Sequence, residues 1–587
     1  MTSHLGPGTG FARERQRDLC APADRPRPDR MRQQAGFLPA ASSRLGSVGD
    51  FLGVAVPARP SDPPPDPVAT SALIRAEADP AAGDRAVITR DRAVYEPLRL
   101  REAEADFSRR YPGFDPDGAL AELRRLDYAR LDEGGHIYLD YTGGGLHAAS
   151  QIDAHAELMR ARVLGNPHSN SPASLASTEL MERARAVVRE FFNAPPDDYL
   201  CVFTANASAA LRLVGESYRF GLGSTFALTA DNHNSVNGIR EFARRKGAEV
   251  VYVLVTAPEL RLDRAAMSGV LRAAETGVRN LLAFPAQSNF SGVQHPLDLV
   301  GEAHAAGWDV LVDAAAFAPT NRFDVAKVRP DFATLSFYKI MGFPTGLGCL
   351  LMRRDRLGVL SRPWFAGGTV TVASVAGGGH YLRRDEAAFE DGTVDYLNLP
   401  AVTTGLAHIG RAGLDAIHRR VGCLTGWLLE ALGGLRHEGG RRLARIHGPS
   451  GTVERGGTVT FSRYDRHGRR IDDLRVEQLA GQAAISLRTG CFCNPGAGEA
   501  AHRLGAEHMR KWFGRGEPMS YLDLRDRILI EHGLLPSAIR ISVGVATNFA
   551  DVYRFLCFLQ RFMDRSVADI NQPTFAADPC HVVRVAA

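Results

Sequence analysis

The chain reads as an α/β protein, with a mostly parallel sheet in a large domain and a smaller α+β domain towards its C-terminal end. Three observations lead there. Short apolar runs alternate with helical patterns between residues 199 and 350, the signature of βα units that cover both faces of a parallel sheet. The texture changes after Asp395, where longer helices and isolated strands replace the alternation. Residues able to do chemistry recur just after the apolar runs, at the strand ends where such sheets bind ligands.

Residues 1–88 are rich in Arg, Pro, Ala, Gly and Asp, with Pro63-Pro64-Pro65 among them, and hold few apolar clusters. They do not repay the entropy of ordering, so the reading is a disordered extension. Interspersed acids favour plain disorder over a transit peptide, and Met31 is an alternative start. Residues 89–132 turn helical, with Ala119, Leu120, Leu123 and Leu126 at three-to-four spacing, and are expected to pack on the small domain. His136-Ile-Tyr-Leu-Asp140 is a short strand closed by Tyr141-Thr-Gly-Gly-Gly145. A long helix, the loop Gly165-Asn-Pro-His-Ser169 and a helix over 179–191 follow. Strands are predicted at 200–203, 225–229, 249–254, 280–284, 309–312 and 332–335, with helices at 236–245 and 297–306 among the connections. These make a large domain over 133–394. In the small domain, 395–565, one helix runs from 399 to 435. Strand 457–461, helix 472–484, strand 485–487, a cysteine loop, strand 539–543 and the amphipathic helix 549–563 complete it. Residues 566–587 show no pattern and read as a tail.

At 587 residues the chain is long enough for more than one domain. Its 45% hydrophobic and 23% charged residues are those of an ordinary globular protein. The net charge is only +4, and no basic stripe interleaved with aromatics points to nucleic acid, so none is expected as partner. No apolar run nears the roughly 20 residues of a membrane span, and the N-terminus lacks the apolar region of a secretory signal. The eight cysteines are scattered except for Cys491 and Cys493. That suits reduced thiols of a cytoplasmic protein and leaves no second pair for a structural zinc, so no metal is expected.

The chemistry centres on Lys339. It follows the run 332–335, with Ser336 three residues before it and Gly342-Phe-Pro-Thr-Gly346-Leu-Gly348 after it. Beside Phe337 and Tyr338 its amine is partly desolvated, which lowers an ammonium pKa and frees it to attack a carbonyl such as that of pyridoxal phosphate. A lysine beside aromatics also simply snorkels to solvent. Thr204-Ala-Asn-Ala-Ser208 runs from strand into helix, and its small residues, helix dipole and Ser208 hydroxyl suit a phosphate, or a plain helix entry. Asp313 after the run 309–312 suits a protonated pyridine nitrogen, or a turn. His233 offers a flat imidazole for stacking and proton handling, or is an ordinary loop residue. Arg488-Thr-Gly-Cys491-Phe-Cys493-Asn-Pro-Gly496 puts thiols beside an arginine in a mobile glycine/proline loop, the setting of a low-pKa nucleophile. Cys493, next to the turn residues, is the freer thiol; Cys491 lies two residues nearer the strand. Arg540 suits a bidentate clamp on a carboxylate. The chain order of cradle, histidine, aspartate and lysine, then cysteine and arginine in a smaller domain, favours the functional reading of each.

Joined by Tyr111-Pro-Gly113, Phe389-Glu-Asp-Gly-Thr393 and Leu487-Arg-Thr-Gly-Cys-Phe-Cys-Asn-Pro-Gly-Ala497, these stretches resemble the class V aminotransferase-like cysteine desulfurases. Within them the chain is similar to the N-terminal domain of the molybdenum cofactor sulfurase branch, over residues 93–565. The resemblance implies the fold type I of pyridoxal phosphate-dependent transferases, with pyridoxal 5'-phosphate as cofactor. It implies that Lys339 binds the cofactor covalently, Asp313 pairs with its ring nitrogen, His233 stacks on the ring, and Ala207, Ser208 and Ser336 hold the phosphate. Asn289 becomes a cofactor or substrate contact, and Arg488 and Arg540 become ligands of the substrate carboxylate. Cys493 becomes the persulfide-bearing nucleophile, which completes a catalytic set with Lys339 and His233. Thr393 resembles a threonine that reaches a neighbouring subunit's phosphate, implying a homodimer.

The implied activity is that of a cysteine desulfurase and sulfurtransferase. Sulfur from L-cysteine passes to Cys493, L-alanine leaves, and an acceptor that the sequence does not name takes the sulfur. Two positions depart from the pattern. Ala316 stands where many desulfurases carry glutamine, and Tyr338 replaces the histidine that often precedes the lysine, a form the sulfurase branch shares. The sequence ends at Ala587, so the resemblance implies a chain that stops before the C-terminal domain of a full sulfurase and leaves the sulfur acceptor open. A C–S lyase or aminotransferase on the same fold would keep Lys339 and Asp313 but not need Cys493. A non-catalytic sulfur-carrier scaffold would need no turnover at all.

Overall fold

The computed structural model describes residues 94–513 and 518–572; the extension predicted over 1–88 and most of the predicted tail lie outside them. A seven-stranded sheet forms the centre. Its strands in chain order are β1 (Tyr199–Thr204), β2 (Thr225–Thr229), β3 (Glu249–Val253), β4 (Leu281–Pro285), β5 (Asp309–Asp313), β6 (Phe332–Ser336) and β7 (Gly348–Arg353). Across the sheet the order is β1-β7-β6-β5-β4-β2-β3. Neighbours from β6 to β3 run parallel, while β7 is antiparallel to both β1 and β6. The inner strands are buried along their whole length, because helices cover both faces; this is why they read as continuous apolar runs rather than alternating ones. The edge strand β3 is partly open to solvent.

Six of these strands fall on the predicted runs. The seventh, β7, does not: the glycine-rich stretch before it hides its start. Inserted between β1 and β6, it sets Gly348 opposite both Thr204 and Ser336, so no side chain stands between the ends of those two strands. The helix predicted over 399–435 is two helices, Leu399–Ala412 and Leu414–Gly434. They are separated by Gly413, whose φ of +80° ends the first one. The helix predicted over 236–245 likewise divides, into Asn234–Asn237 and Ile239–Arg245.

A second, antiparallel sheet contains β8 (Ala444–His447), β9 (Thr458–Arg463), β10 (Arg488–Gly490) and β11 (Ala538–Ser542), in the order β8-β9-β11-β10. The early strand at Ile137–Tyr138 does not join the large sheet. It pairs parallel with Ile485–Ser486, and Asp140 bridges to Ser542 at the end of β11. Helix Leu100–Arg110 packs on Phe549–Gln560, with the Phe107 and Phe549 rings stacked at 4.4 Å and Trp427 edge-on at 4.9 Å. Residues 566–572 are not patternless. A capping box at Ser566 and Asp569 starts the helix Val567–Asn571, which buries Val567 and Ile570. Among the described residues no helix is long and apolar enough to cross a membrane.

Candidate active site

Five strand ends converge on one cavity. Ala207 and Ser208 follow β1, His233 follows β2, Asn289 follows β4, Asp313 ends β5, and Ser336 and Lys339 end and follow β6; all line it. At one end Asn206 caps the helix Ala207–Ser217, its side chain accepting from Ala209 N at 2.9 Å. Ala207 N donates to Ser336 Oγ at 3.3 Å, and the Ser208 and Ser235 hydroxyls share a hydrogen bond of 2.6 Å. The positive end of a helix dipole, a backbone N–H and three hydroxyls make a cradle for a phosphate. The sequence reading passed over Ser235, although it lies two residues beyond His233 on the same turn.

At the other end Asp313 accepts from Ala315 N at 3.0 Å and Thr334 Oγ1 at 3.3 Å, which fixes its carboxylate in the buried wall. His233 Nδ1 accepts the Ser235 N–H at 3.2 Å, so the ring proton of the neutral form belongs on Nε2. Burial holds this imidazole below its ordinary pKa. Asp313 opposes the shift, while Lys339 and Arg540 add to it, so a neutral, flat ring faces the cavity. Lys339, on the short helix Phe337–Met341, is held below the ordinary ammonium range by burial; Asp313 opposes this, and Arg540 and Arg488 reinforce it. The free-amine fraction rises accordingly.

Arg488 and Arg540 stand directly opposite each other on β10 and β11, a placement in which like charges repel. Asp140 separates them: Arg540 Nη2 donates to its Oδ1 at 2.9 Å, and Arg488 Nη2 and Nε donate to its Oδ2 at 2.7 and 3.0 Å. Arg540 is buried, gives Nη1 to the Asn289 carbonyl at 3.1 Å and lies 4.8 Å over the Phe492 ring. Asp140 closes the short run 136–140, yet no local pattern marks it as the partner of these arginines.

The cysteine turn is tied to its neighbouring loops. Asn234 N donates to the Cys493 carbonyl at 2.7 Å, and Asn289 Nδ2 to the Phe492 carbonyl at 2.7 Å. Asn494 Nδ2 reaches the Asp231 carbonyl at 2.6 Å and Asn289 Oδ1 at 2.9 Å, while its Oδ1 caps the helix Pro495–His502. Gly496 lies so close to Ala230 that a Cβ would meet its carbonyl oxygen at 2.1 Å. Phe492 and Cys493 both adopt left-handed φ, +56° and +54°, conformations uncommon for such residues and held here by the surrounding bonds. Cys493 is exposed, whereas Cys491 is half-buried and its thiol is pushed up by burial. Thr393 is apart from the others. It accepts from Asn166 Nδ2 at 3.3 Å and lines a separate hollow with Thr204, Arg212 and Gly346.

A parallel sheet whose strand ends gather an anion cradle, a flat neutral imidazole, a buried carboxylate and a depressed lysine amine defines an enzyme site for a small phosphorylated carbonyl compound. The chain belongs to the class V aminotransferase family, whose profile matches residues 137–555. It is 36% identical over 472 residues to the molybdenum cofactor sulfurase of Solanum lycopersicum, covering 75% of this chain and 57% of that protein. To the human molybdenum cofactor sulfurase it is 32% identical over 488 residues, covering 79% and 54%. The chain thus spans little more than half the length of these curated relatives. Among solved structures, the apo cysteine desulfurase of Thermococcus onnurineus NA1 matches with a TM-score of 0.61 at 24% identity, over 74% of this chain and 96% of that one. The fold is therefore the expected one, type I of the pyridoxal phosphate-dependent transferases.

Proposed function

We propose that this chain is a pyridoxal 5'-phosphate-dependent cysteine desulfurase that takes sulfur from L-cysteine and releases L-alanine. The observation that carries the proposal is the placing of an arginine pair, already holding one carboxylate, and an exposed cysteine turn around the Asn289 edge of the lysine cavity. The residues fit the cofactor. Ala207, Ser208, Ser235 and Ser336 would hold its phosphate, Asp313 would face its ring nitrogen, His233 would lie on its ring, and Lys339 would bind it covalently. Bound there, pyridoxal phosphate supplies a protonated ring that accepts the electron pair left when a substrate Cα loses its proton.

The chain's own groups do the rest. Burial lowers the pKa of the Lys339 ammonium and raises its free-amine fraction, and burial likewise favours the uncharged form of His233. Arg540, supported by Arg488, takes the substrate carboxylate and so fixes the orientation of the side chain. The Cys493 thiol, presented by a tied turn, gives up its proton and its sulfur bonds to the substrate sulfur. The substrate's C–S bond breaks, its electron pair stays with the β-carbon, which takes up a proton to become the methyl group of alanine, and a persulfide remains on Cys493. Thr393, standing outside its own chain's cavity, would serve the phosphate of a second copy in a homodimer.

The test is to incubate the cofactor-loaded protein with L-cysteine and a thiol reductant and to measure alanine, sulfide and pyruvate. Equal alanine and sulfide are expected. Pyruvate in place of alanine would make it a lyase, and no product at all would leave a scaffold.

A further inference from the structure

We infer that Asp140 is a positioning residue that sets the carboxylate clamp to a net charge of one and thereby selects amino acids with a single carboxylate. The inference rests on reading Arg488 and Arg540 as the substrate's carboxylate ligands. Two guanidinium groups paired directly across antiparallel strands would repel and splay. The fold inserts a buried carboxylate that uses both oxygens on them. Two cations and one anion leave one positive charge, matched to one carboxylate. Among the described residues Arg540 Nε is buried with no hydrogen-bond partner, a donor still to be satisfied.

The placement of Asp140 is built rather than incidental. Ser542 N, at the end of the strand that carries Arg540, donates to the Leu139 carbonyl at 2.7 Å, and Thr142 N donates to Ser542 Oγ at 2.8 Å. Gly143 N and Gly144 N both donate to the Asp140 carbonyl, at 2.9 and 3.1 Å. Gly143 also packs against the ion pair itself: a Cβ there would lie 2.4 Å from Asp140 Oδ2 and 2.7 Å from Arg488 Nη2. The carboxylate thus enters from one fixed direction, and no larger side chain in the turn fits beside it. An amino acid with two carboxylates brings one negative charge too many to such a clamp. With Asp140 neutralised, the spare positive charge accepts it.

The experiment measures affinity by calorimetry on the cofactor-loaded protein, with L-alanine as the monocarboxylate probe and L-aspartate as the dicarboxylate. Asp140→Asn shifts the affinity ratio toward L-aspartate by about tenfold, the effect of one partly screened charge at close range. Arg488→Gln, which lowers the net charge to zero, weakens L-alanine binding by about tenfold. The double variant Asp140→Asn/Arg488→Gln restores one net charge, returns the ratio close to that of the parent and binds L-alanine more tightly than Arg488→Gln does. A merely structural Asp140 would make the double variant worse than either single one. An unchanged ratio in Asp140→Asn, or no recovery in the double variant, overturns the inference. Should Asp140→Asn alone not fold, the comparison of Arg488→Gln with the double variant decides the matter, equal L-alanine binding being the overturning result. Because binding is read without turnover, a charge-dependent ratio in a protein that releases no alanine from cysteine would sink the desulfurase reading alone.

Discussion

Asn494 is the residue on which the cysteine turn hangs, and its replacement by alanine has a calculable cost. Its side chain is fully buried and makes three hydrogen bonds: Nδ2 to the Asp231 carbonyl at 2.6 Å, Nδ2 to Asn289 Oδ1 at 2.9 Å, and Oδ1 from Ala497 N at 3.2 Å. The last is a helix cap, whose loss costs about 1 kcal/mol. The other two contribute about 1 kcal/mol each, and leaving their buried acceptors unpaired adds about another, so Asn494→Ala loses about 3–4 kcal/mol. Asn494→Ser keeps an oxygen for the cap but no donor of the right reach, and loses about 2–3 kcal/mol. Urea unfolding of the cofactor-loaded protein, followed by intrinsic fluorescence, measures both. Transfer of sulfur to Cys493 should slow in the same order, because the turn that presents the thiol loses its tie to the strand end bearing His233. An Asn494→Ala protein that unfolds within about 0.5 kcal/mol of its parent would refute the reasoning, since three buried bonds would then contribute nothing net.

Three further outcomes are expected. Mass spectrometry of a cysteine-treated, alkylated digest should find the extra sulfur atom on Cys493; Cys493→Ala should abolish alanine release, while Cys491→Ala, which changes a half-buried thiol, should keep most of it. Thr393→Ala should weaken cofactor retention, and mixing it with Lys339→Ala should restore activity in those heterodimers whose shared site carries neither lesion; no restoration despite proven subunit exchange would count against sharing. His447, buried on β8 with a 2.6 Å hydrogen bond to Ser462, is held well below its ordinary pKa by burial first, with His502, Arg470 and Arg445 adding to the shift. The unfolded chain therefore takes up a proton near pH 6.5 that the folded one refuses, and stability falls as pH drops below that value, by up to about 1.4 kcal/mol per unit. His447→Gln should flatten this acid limb by one proton, as read from unfolding midpoints between pH 4 and 7.

The positions of β1 to β6 were legible because each is a local run rich in apolar residues, and in the inner strands burial of both faces writes itself along the chain. The lysine, aspartate, histidine and serine positions were legible for a related reason: each follows such a run, and strand ends on one side of a parallel sheet share one cavity. The insertion of β7 between β1 and β6 was not legible, because strand order depends on which edges meet in space, and no periodicity records it. Nor was the break at Gly413, since a lone glycine inside an apolar helical pattern is tolerated as often as it terminates one.

The tertiary structure alone decided which groups meet in the second half of the site. Asp140 meets partners 348 and 400 positions away along the chain, Asn494 ties the cysteine turn to loops after β2 and β4, and Thr393 stands apart from the cavity of its own chain. Hydrophobic periodicity reports only whether a residue is buried. Which charge it meets once buried depends on chain segments brought together by folding, and that pairing left no mark in the local sequence.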